Sequence, residues 1–338
     1  MKRNYTFIPL LLLLIVAIVA CSNNSSKSAA DNDSEGDATK ATVQVPQFSA
    51  DSAYQYIQTQ ADFGPRVPNT AAHKACGEFL AKKLEEFGAK VYNQHADLVA
   101  YDNTILKARN VIGAYNPESK RRVLLCAHWD SRPYADQDAD KTKHHSPILG
   151  VNDGASGVGV LLEVARQLQQ QAPAIDIIFF DAEDYGIPYF YQGAYKNDTW
   201  CLGSQYWGRV PHVDGYNARY GILLDMVGGK NATFYKEQFS QRTAGKYVNK
   251  IWNTAHRLGF GNFFPKEKGT EVTDDHMYVY NLRQIPCVDI INYDPNCDTG
   301  FGDFWHTIDD TMDIIDKGTL RPCSKSSTMR NRQSNSKS

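Results

Sequence analysis

Three short apolar runs in this chain end in carboxylates, and no other feature constrains its fold as much. RRVLLCAHWDS runs into Asp130, IDIIFFDAEDYG at 175–186 into Glu183 and Asp184, and YGILLDMVGG at 220–229 into Asp225. Runs without polar alternation belong inside a sheet that is covered on both faces. IPCVDIINY at 285–293 has the same character, and VYNQHADLVAYD and KARNVIGAYN are further strand candidates. Helical periods separate them. HKACGEFLAKKLEEFG ends at Gly88, where a C-cap glycine belongs, GVGVLLEVARQLQQQ opens from a glycine-rich turn, and KYVNKIWNTAHRLGF follows later. The alternation predicts an α/β fold: a mixed, mostly parallel central sheet with helices on both faces. Such sheets place their chemistry at the carboxyl ends of the strands, where these acids lie.

The two ends differ from the middle. Lys2 and Arg3 precede an apolar stretch at 7–20, shorter than the roughly 20 residues a helix needs to span a bilayer. It fits a secretory signal, and Ile18-Val19-Ala20-Cys21 resembles a bacterial lipobox. Residues 1–21 are therefore expected to be a lipoprotein signal with Cys21 as the lipidation site. The protein would sit in the bacterial cell envelope and touch the membrane only through that anchor. An ordinary signal peptide with Cys21 as a passenger is the plainer alternative. Residues 22–46 are small and polar and predict a flexible tether, followed by a single catalytic domain at 47–320. TMDIIDKGTL at 311–320 is expected to start a final helix. Residues 321–338, RPCSKSSTMRNRQSNSKS, have no apolar period, so a disordered tail and an uncovered apolar groove are expected there. Lys and Arg total 36 against 38 Asp and Glu, a balance with no overall attraction for nucleic acid. A monomer is the expectation. The cysteines beyond Cys21 lie far apart without CxxC spacing; Cys287 and Cys297 are the closest pair, and Cys126 reads as a buried small hydrophobe.

Carboxylates packed together at strand ends repel, and burying them is costly, so they require a cation or shared protons. Mixed carboxylate and imidazole donors suit zinc. The donors come from AHWDS, NDGASG, DAEDYG, LLDMVG, TDDH and FWHTIDD. Taken singly each has a blander reading: Asp153 as a turn residue in Asn-Asp-Gly, His306 as a satisfied buried histidine.

In this order, and with LGSQYW between them, these stretches resemble the animal-type glutaminyl cyclases and their bacterial relatives, within the zinc aminopeptidase superfamily. The resemblance runs from about residue 53 to about 317 and implies one zinc held by Asp153, Asp184 and His306. Asp184 stands where the aminopeptidases usually carry Glu. The resemblance implies Glu183 as the general acid/base and Asp225 and Asp274 as a hydrogen-bonded carboxylate pair beside it. Trp305 would wall the substrate pocket. Trp207 is a second candidate wall, with Trp200 or a tyrosine of YFYQGAY as alternatives. The implied reaction is zinc-dependent cyclisation of N-terminal Gln of peptides or proteins to pyroglutamate with loss of ammonia. A two-zinc aminopeptidase, with His128 and Asp225 taking a second metal, is the alternative. A non-catalytic peptide-binding lipoprotein is a remoter one.

Overall fold

The computed structural model describes residues 48–168 and 174–320. The expected signal, Cys21, the tether and the tail at 321–338 lie outside them. The described residues open with two helices, α1 (Ala50–Asp62) and α2 (Ala71–Glu86), the second where the helical period was expected. Ser49 caps α1 by accepting from the Ser52 N–H, and Thr70 caps α2 by accepting from the His73 N–H. Gly88 follows α2 with φ +83°, a conformation that glycine adopts without a Cβ clash. Then come β1 (Lys90–Val99), β2 (Ile105–Tyr115), β3 (Val123–His128), α3 (Ala155–Leu168) and β4 (Ile175–Phe180). The second half adds α4 (Leu202–Arg209), β5 (Gly221–Asp225), α5 (Gln238–Arg257), α6 (Asp275–Arg283) and β6 (Cys287–Ile291).

The six strands form one sheet in the order β1-β2-β4-β3-β5-β6. β1–β2 and β2–β4 are antiparallel, while β4–β3, β3–β5 and β5–β6 are parallel. Every residue of β3, β4, β5 and β6 is buried, whereas the edge strand β1 alternates between exposed and half-buried positions. The apolar runs thus occupy the parallel centre.

Alternate residues of the central strands feed two cores. Leu125 and Ala127 of β3, Ile177 and Phe179 of β4, and Ile222 and Leu224 of β5 pack on the face that carries α1, α2, α3 and α5. Leu124, Cys126, Ile178, Phe180 and Leu223 pack on the other face with Trp207 of α4 and Val279 of α6. Helices therefore cover both faces, as expected. α3 crosses β5 so closely that a Cβ at Gly157 would stand 2.2 Å from the Leu224 carbonyl oxygen. That contact seats the start of α3, and with it Asp153, against the strand ends.

The final stretch, expected to start a helix, does so only near its end. A 3-10 turn at Met312–Ile314 is followed by Ile315, which bridges to Gly229, and a four-residue helix α7 (Lys317–Leu320). Ile315 and Leu320 are buried in the main core, which holds this segment down locally. Cys76, Cys126, Cys201, Cys287 and Cys297 are free, so the Cys287–Cys297 pair is not bridged, and Cys126 is fully buried.

Candidate active site

Glu183, Asp184 and Asp225 sit at strand ends, Asp153 and Asp274 at helix starts and His306 in a turn, and buried acids fix the backbone of the first two groups. Asp130, two residues beyond β3, is fully buried. Its two carboxylate oxygens accept from the backbone N–H groups of Glu183 and Asp184, each at 3.1 Å. Ala182 just before them takes φ +52°, which turns the chain sharply out of β4. Asp310 does the same for Asp153, accepting from the N–H groups of Asn152 at 2.7 Å and Asp153 at 3.1 Å. Burial, reinforced by the charge of Asp153, raises the Asp310 carboxyl to about 8.

Asp153, Asp184 and His306 converge, with one donor atom from each lying within 4.8 Å of the others. His306 Nε2 is 3.2 Å from Asp184 Oδ1 and 3.6 Å from Asp153 Oδ2. Both carboxylate oxygens of Asp184 are buried without a hydrogen-bond partner. The Arg132 guanidinium stands 3.7 Å from Oδ1, but the missing hydrogen bonds leave room for a cation to satisfy this carboxylate. Burial and then the Arg132 charge lower His306 to about 3, so its imidazole is neutral, the form that ligates a metal. The other ring nitrogen, Nδ1, lies 3.6 Å from Asp136 Oδ1, and Arg132 grips Asp136 with bonds of 2.7 and 2.8 Å. Such an outer carboxylate orients a ligating histidine. The donor set and its orphaned oxygens fit a zinc-sized cation.

A second convergent group, His128, Asp153 and Asp225, adjoins the first. Here hydrogen bonds already close the cluster. His128 Nε2 is 3.0 Å from Asp153 Oδ1 and 3.2 Å from Asp225 Oδ1. Burial alone would lower the His128 pKa, but its bonds to Asp130, Asp153 and Asp225 raise it well above the ordinary value.

Glu183 lies beside Asp274, and both border a cavity of about 700 Å³ together with Asp225. Burial, strengthened by the Asp184 and Asp274 charges and opposed by His128, holds Glu183 well above the usual carboxylate range. Burial and the Asp225 charge raise Asp274 to about 7. Burial and the Asp153 charge raise Asp225 to about 6. Asp225 bonds to His128, while Asp274 caps α6 through Oδ1 and leaves Oδ2 without a partner.

The aromatic walls differ from the sequence reading at one position. Trp305 lines the cavity and stacks on His306 with centroids 3.8 Å apart. Trp207 does not reach the cavity. It is fully buried in the second core, edge-on to Phe180 and Tyr216, with its indole N–H on His212 Nδ1 at 3.1 Å. The register of α4 turns this residue inward to the second core. Trp200, the alternative, takes the place at the site. It lies parallel to His306 at 5.9 Å and under the Arg132 guanidinium at 4.5 Å. Tyr195 of YFYQGAY also borders the cavity. Sequence reasoning missed the orienting pair Arg132–Asp136 and the anchor Asp310. Their signals were present in AHWDSRPYAD and in the paired acids of FWHTIDD.

The family model described as Peptidase family M28 matches residues 110–329. The chain belongs to this family. M28 membership accords with the sheet and with the convergent acids at its strand ends. The match reaches past the described residues into the first part of the tail. Bacteroides thetaiotaomicron glutaminyl cyclase, solved bound to N-acetylhistamine, is 61% identical with a TM-score of 0.80; the match covers 82% of this chain and 95% of that one. A Zn-dependent exopeptidase from Parabacteroides distasonis is 60% identical with a TM-score of 0.81, covering 82% of this chain and 96% of that one. Glutaminyl-peptide cyclotransferase of Drosophila melanogaster is 24% identical over 287 residues, 75% of this chain and 73% of that one.

Proposed function

We propose that this M28 protein is a zinc-dependent glutaminyl-peptide cyclotransferase, converting N-terminal Gln of peptides to pyroglutamate with release of ammonia. The similarity to glutaminyl cyclases supports the reaction. The observation that carries the site assignment is the buried Asp184 carboxylate, neither oxygen of which has a hydrogen-bond partner, with Oδ1 3.2 Å from a neutral His306. In this reading Asp153, Asp184 and His306 hold one zinc. When bound, the metal supplies Lewis-acid polarisation of the substrate γ-carbonyl.

The chain's own residues do the rest. The cavity gathers Glu183, Asp225 and Asp274, whose carboxyl oxygens can accept hydrogen bonds from the substrate's α-amine. The amine must lose a proton before its nitrogen can bond to the γ-carbon. The amide nitrogen must gain a proton as the old C–N bond breaks. Glu183 carries that proton from one nitrogen to the other, a task suited to a carboxyl whose proton affinity burial has raised. Asp274 and Asp225 hold the amine beside it. Trp305 and Trp200 enclose the folded glutamine side chain and exclude water that would otherwise hydrolyse it. The attack is intramolecular, so the pocket contributes mainly by selecting the cyclic conformer. Cys21 would carry a lipid that tethers the enzyme to the bacterial envelope.

The second convergent group supports the two-zinc aminopeptidase reading, since His128, Asp153 and Asp225 could flank another ion, and so do the peptidase family and the similar Zn-dependent exopeptidase. The hydrogen bonds within that group favour the one-zinc reading. Incubation with a Gln-initiated and an Ala-initiated peptide separates the two. Ammonia without loss of a residue is expected from the first and no change in the second. Shortening of the Ala peptide would reassign the protein as an aminopeptidase.

A further inference from the structure

Glu183 is the residue on which proton transfer rests, yet its carboxylate has few supports. Its backbone N–H is taken by Asp130. Among the described residues, the one group that donates to its side chain is a thiol: Cys201 Sγ lies 3.1 Å from Glu183 Oε1. Cys201 is fully buried and free. It precedes α4, where it occupies the cap position, but its side chain caps nothing there.

The backbone aims that thiol. Cys201 takes φ +56° and ψ 35°, a left-handed conformation costly for a residue with a Cβ. Its N–H donates to the Glu183 carbonyl at 2.9 Å, and the next N–H, of Leu202, donates to the Ala182 carbonyl at 3.0 Å. Two short segments, 182–183 and 201–202, are thus laced together on both sides of the site. The neighbouring Trp200 stacks on His306. One turn therefore delivers both an aromatic wall and a hydrogen-bond donor. Burial, with nearby Glu183, Asp275 and Asp274, pushes the thiol pKa far up, so the sulfur keeps its proton to donate.

We propose that Cys201 is a positioning residue: its thiol donates to Glu183 Oε1, fixes the carboxylate rotamer, and leaves Oε2 as the oxygen that meets the substrate. This rests on the reading of Glu183 as the proton carrier. A free carboxylate in this position would swing among rotamers or lean toward other donors. A displacement of about 1 Å at a proton-transfer group costs on the order of a hundredfold in rate.

The test compares Cys201→Gly, Cys201→Ala and Cys201→Ser in the full chain loaded with zinc. Glycine removes the donor while accepting φ +56° without strain, so it protects the comparison against misfolding. Glycine and alanine are expected to lower kcat on a Gln-initiated peptide about ten- to a hundredfold, with KM within about twofold and zinc content unchanged. Serine, whose hydroxyl donates from the same Cβ, is expected to restore kcat to within about threefold of the parent. Parent-like kcat in the glycine variant overturns the proposal. So does a serine variant as slow as alanine with the parent's zinc content. The parent's own product is read first. If it shortens the Ala-initiated peptide instead of releasing ammonia, the cyclase reading fails, and the series is scored on that hydrolysis, where Glu183 is again the proton carrier. A crystal structure of the glycine variant gives a readout free of turnover: a shifted Glu183 side chain is expected, and an unmoved one refutes the positioning role.

Discussion

Replacing Glu183 with Gln separates proton transfer from metal binding more cleanly than any other change in this site. The amide has the same shape, and the Cys201 thiol can still donate to its oxygen at the position now 3.1 Å away. The turn that carries it is held through the backbone by Asp130, which the substitution does not touch. The Glu183 carboxyl is buried, and an amide of the same shape places no new charge inside the fold. Stability is therefore expected to stay level or rise slightly. The amide cannot accept the amine's proton or return it to the leaving nitrogen. Losing a general acid/base costs about 10²–10⁴-fold in rate, or about 3–5 kcal/mol of barrier. The assay measures ammonia release from a Gln-initiated peptide beside zinc content and the melting midpoint of the same preparation. Loss of zinc would show that Glu183 is a ligand and that its role and that of Asp184 are interchanged. Turnover within tenfold of the parent would show that the proton travels by another group.

Metal analysis of the parent is expected to give one equivalent. His128→Ala should keep it, while its loss of bonds to Asp153 and Asp225 lowers stability by about 3–5 kcal/mol; two equivalents in the parent, one of them lost with His128, would restore the aminopeptidase reading. Trp207→Ala should cost about 3–5 kcal/mol of stability by emptying a fully buried core site, read by chemical denaturation, with KM unchanged in the folded fraction. Trp305→Ala should leave stability nearly level and raise KM up to about tenfold, the worth of one aromatic face; a KM effect at Trp207 and none at Trp305 would invert the assignment of the walls. Glu237 gives a pH signature away from the metal. Burial alone would raise its pKa, but the His276 hydrogen bond and charge and the Ser240 and Phe239 N–H groups lower it from 4.5 to about 2. The carboxylate is thus tighter bound in the folded state. It contributes about 3 kcal/mol above pH 4.5, and that contribution fades as pH falls toward 2. Glu237→Gln should flatten the fall in melting midpoint over that range, and an unchanged slope would show that Glu237 is not the group responsible.

Local pattern carried the sheet and the donor set because burial and strand direction leave direct marks on composition. A strand covered on both faces is apolar along most of its length, as β3, β4 and β5 are apart from the Arg122-paired Asp176 and the terminal His128 and Asp225, and where the apolar run stops the chain has reached the edge of the sheet. Asp130, Glu183, Asp184 and Asp225 were legible for that reason. The family resemblance then added Asp153, Asp274 and His306. The choice between aromatic walls was not legible locally. Trp200 and Trp207 are seven residues apart, and only the packing of α4 decides that one faces His306 and the other Phe180. The supports were hidden for a related reason. Asp310 reaches back to Asp153, and Arg132 joins Asp136 to the Asp184 carbonyl. Cys201 meets Glu183 across a turn in left-handed backbone that no periodicity signals. Side-chain type and period report whether a residue is buried. Which distant atom it touches is fixed only when strands and helices assemble, because that contact depends on the register of elements that are remote in sequence.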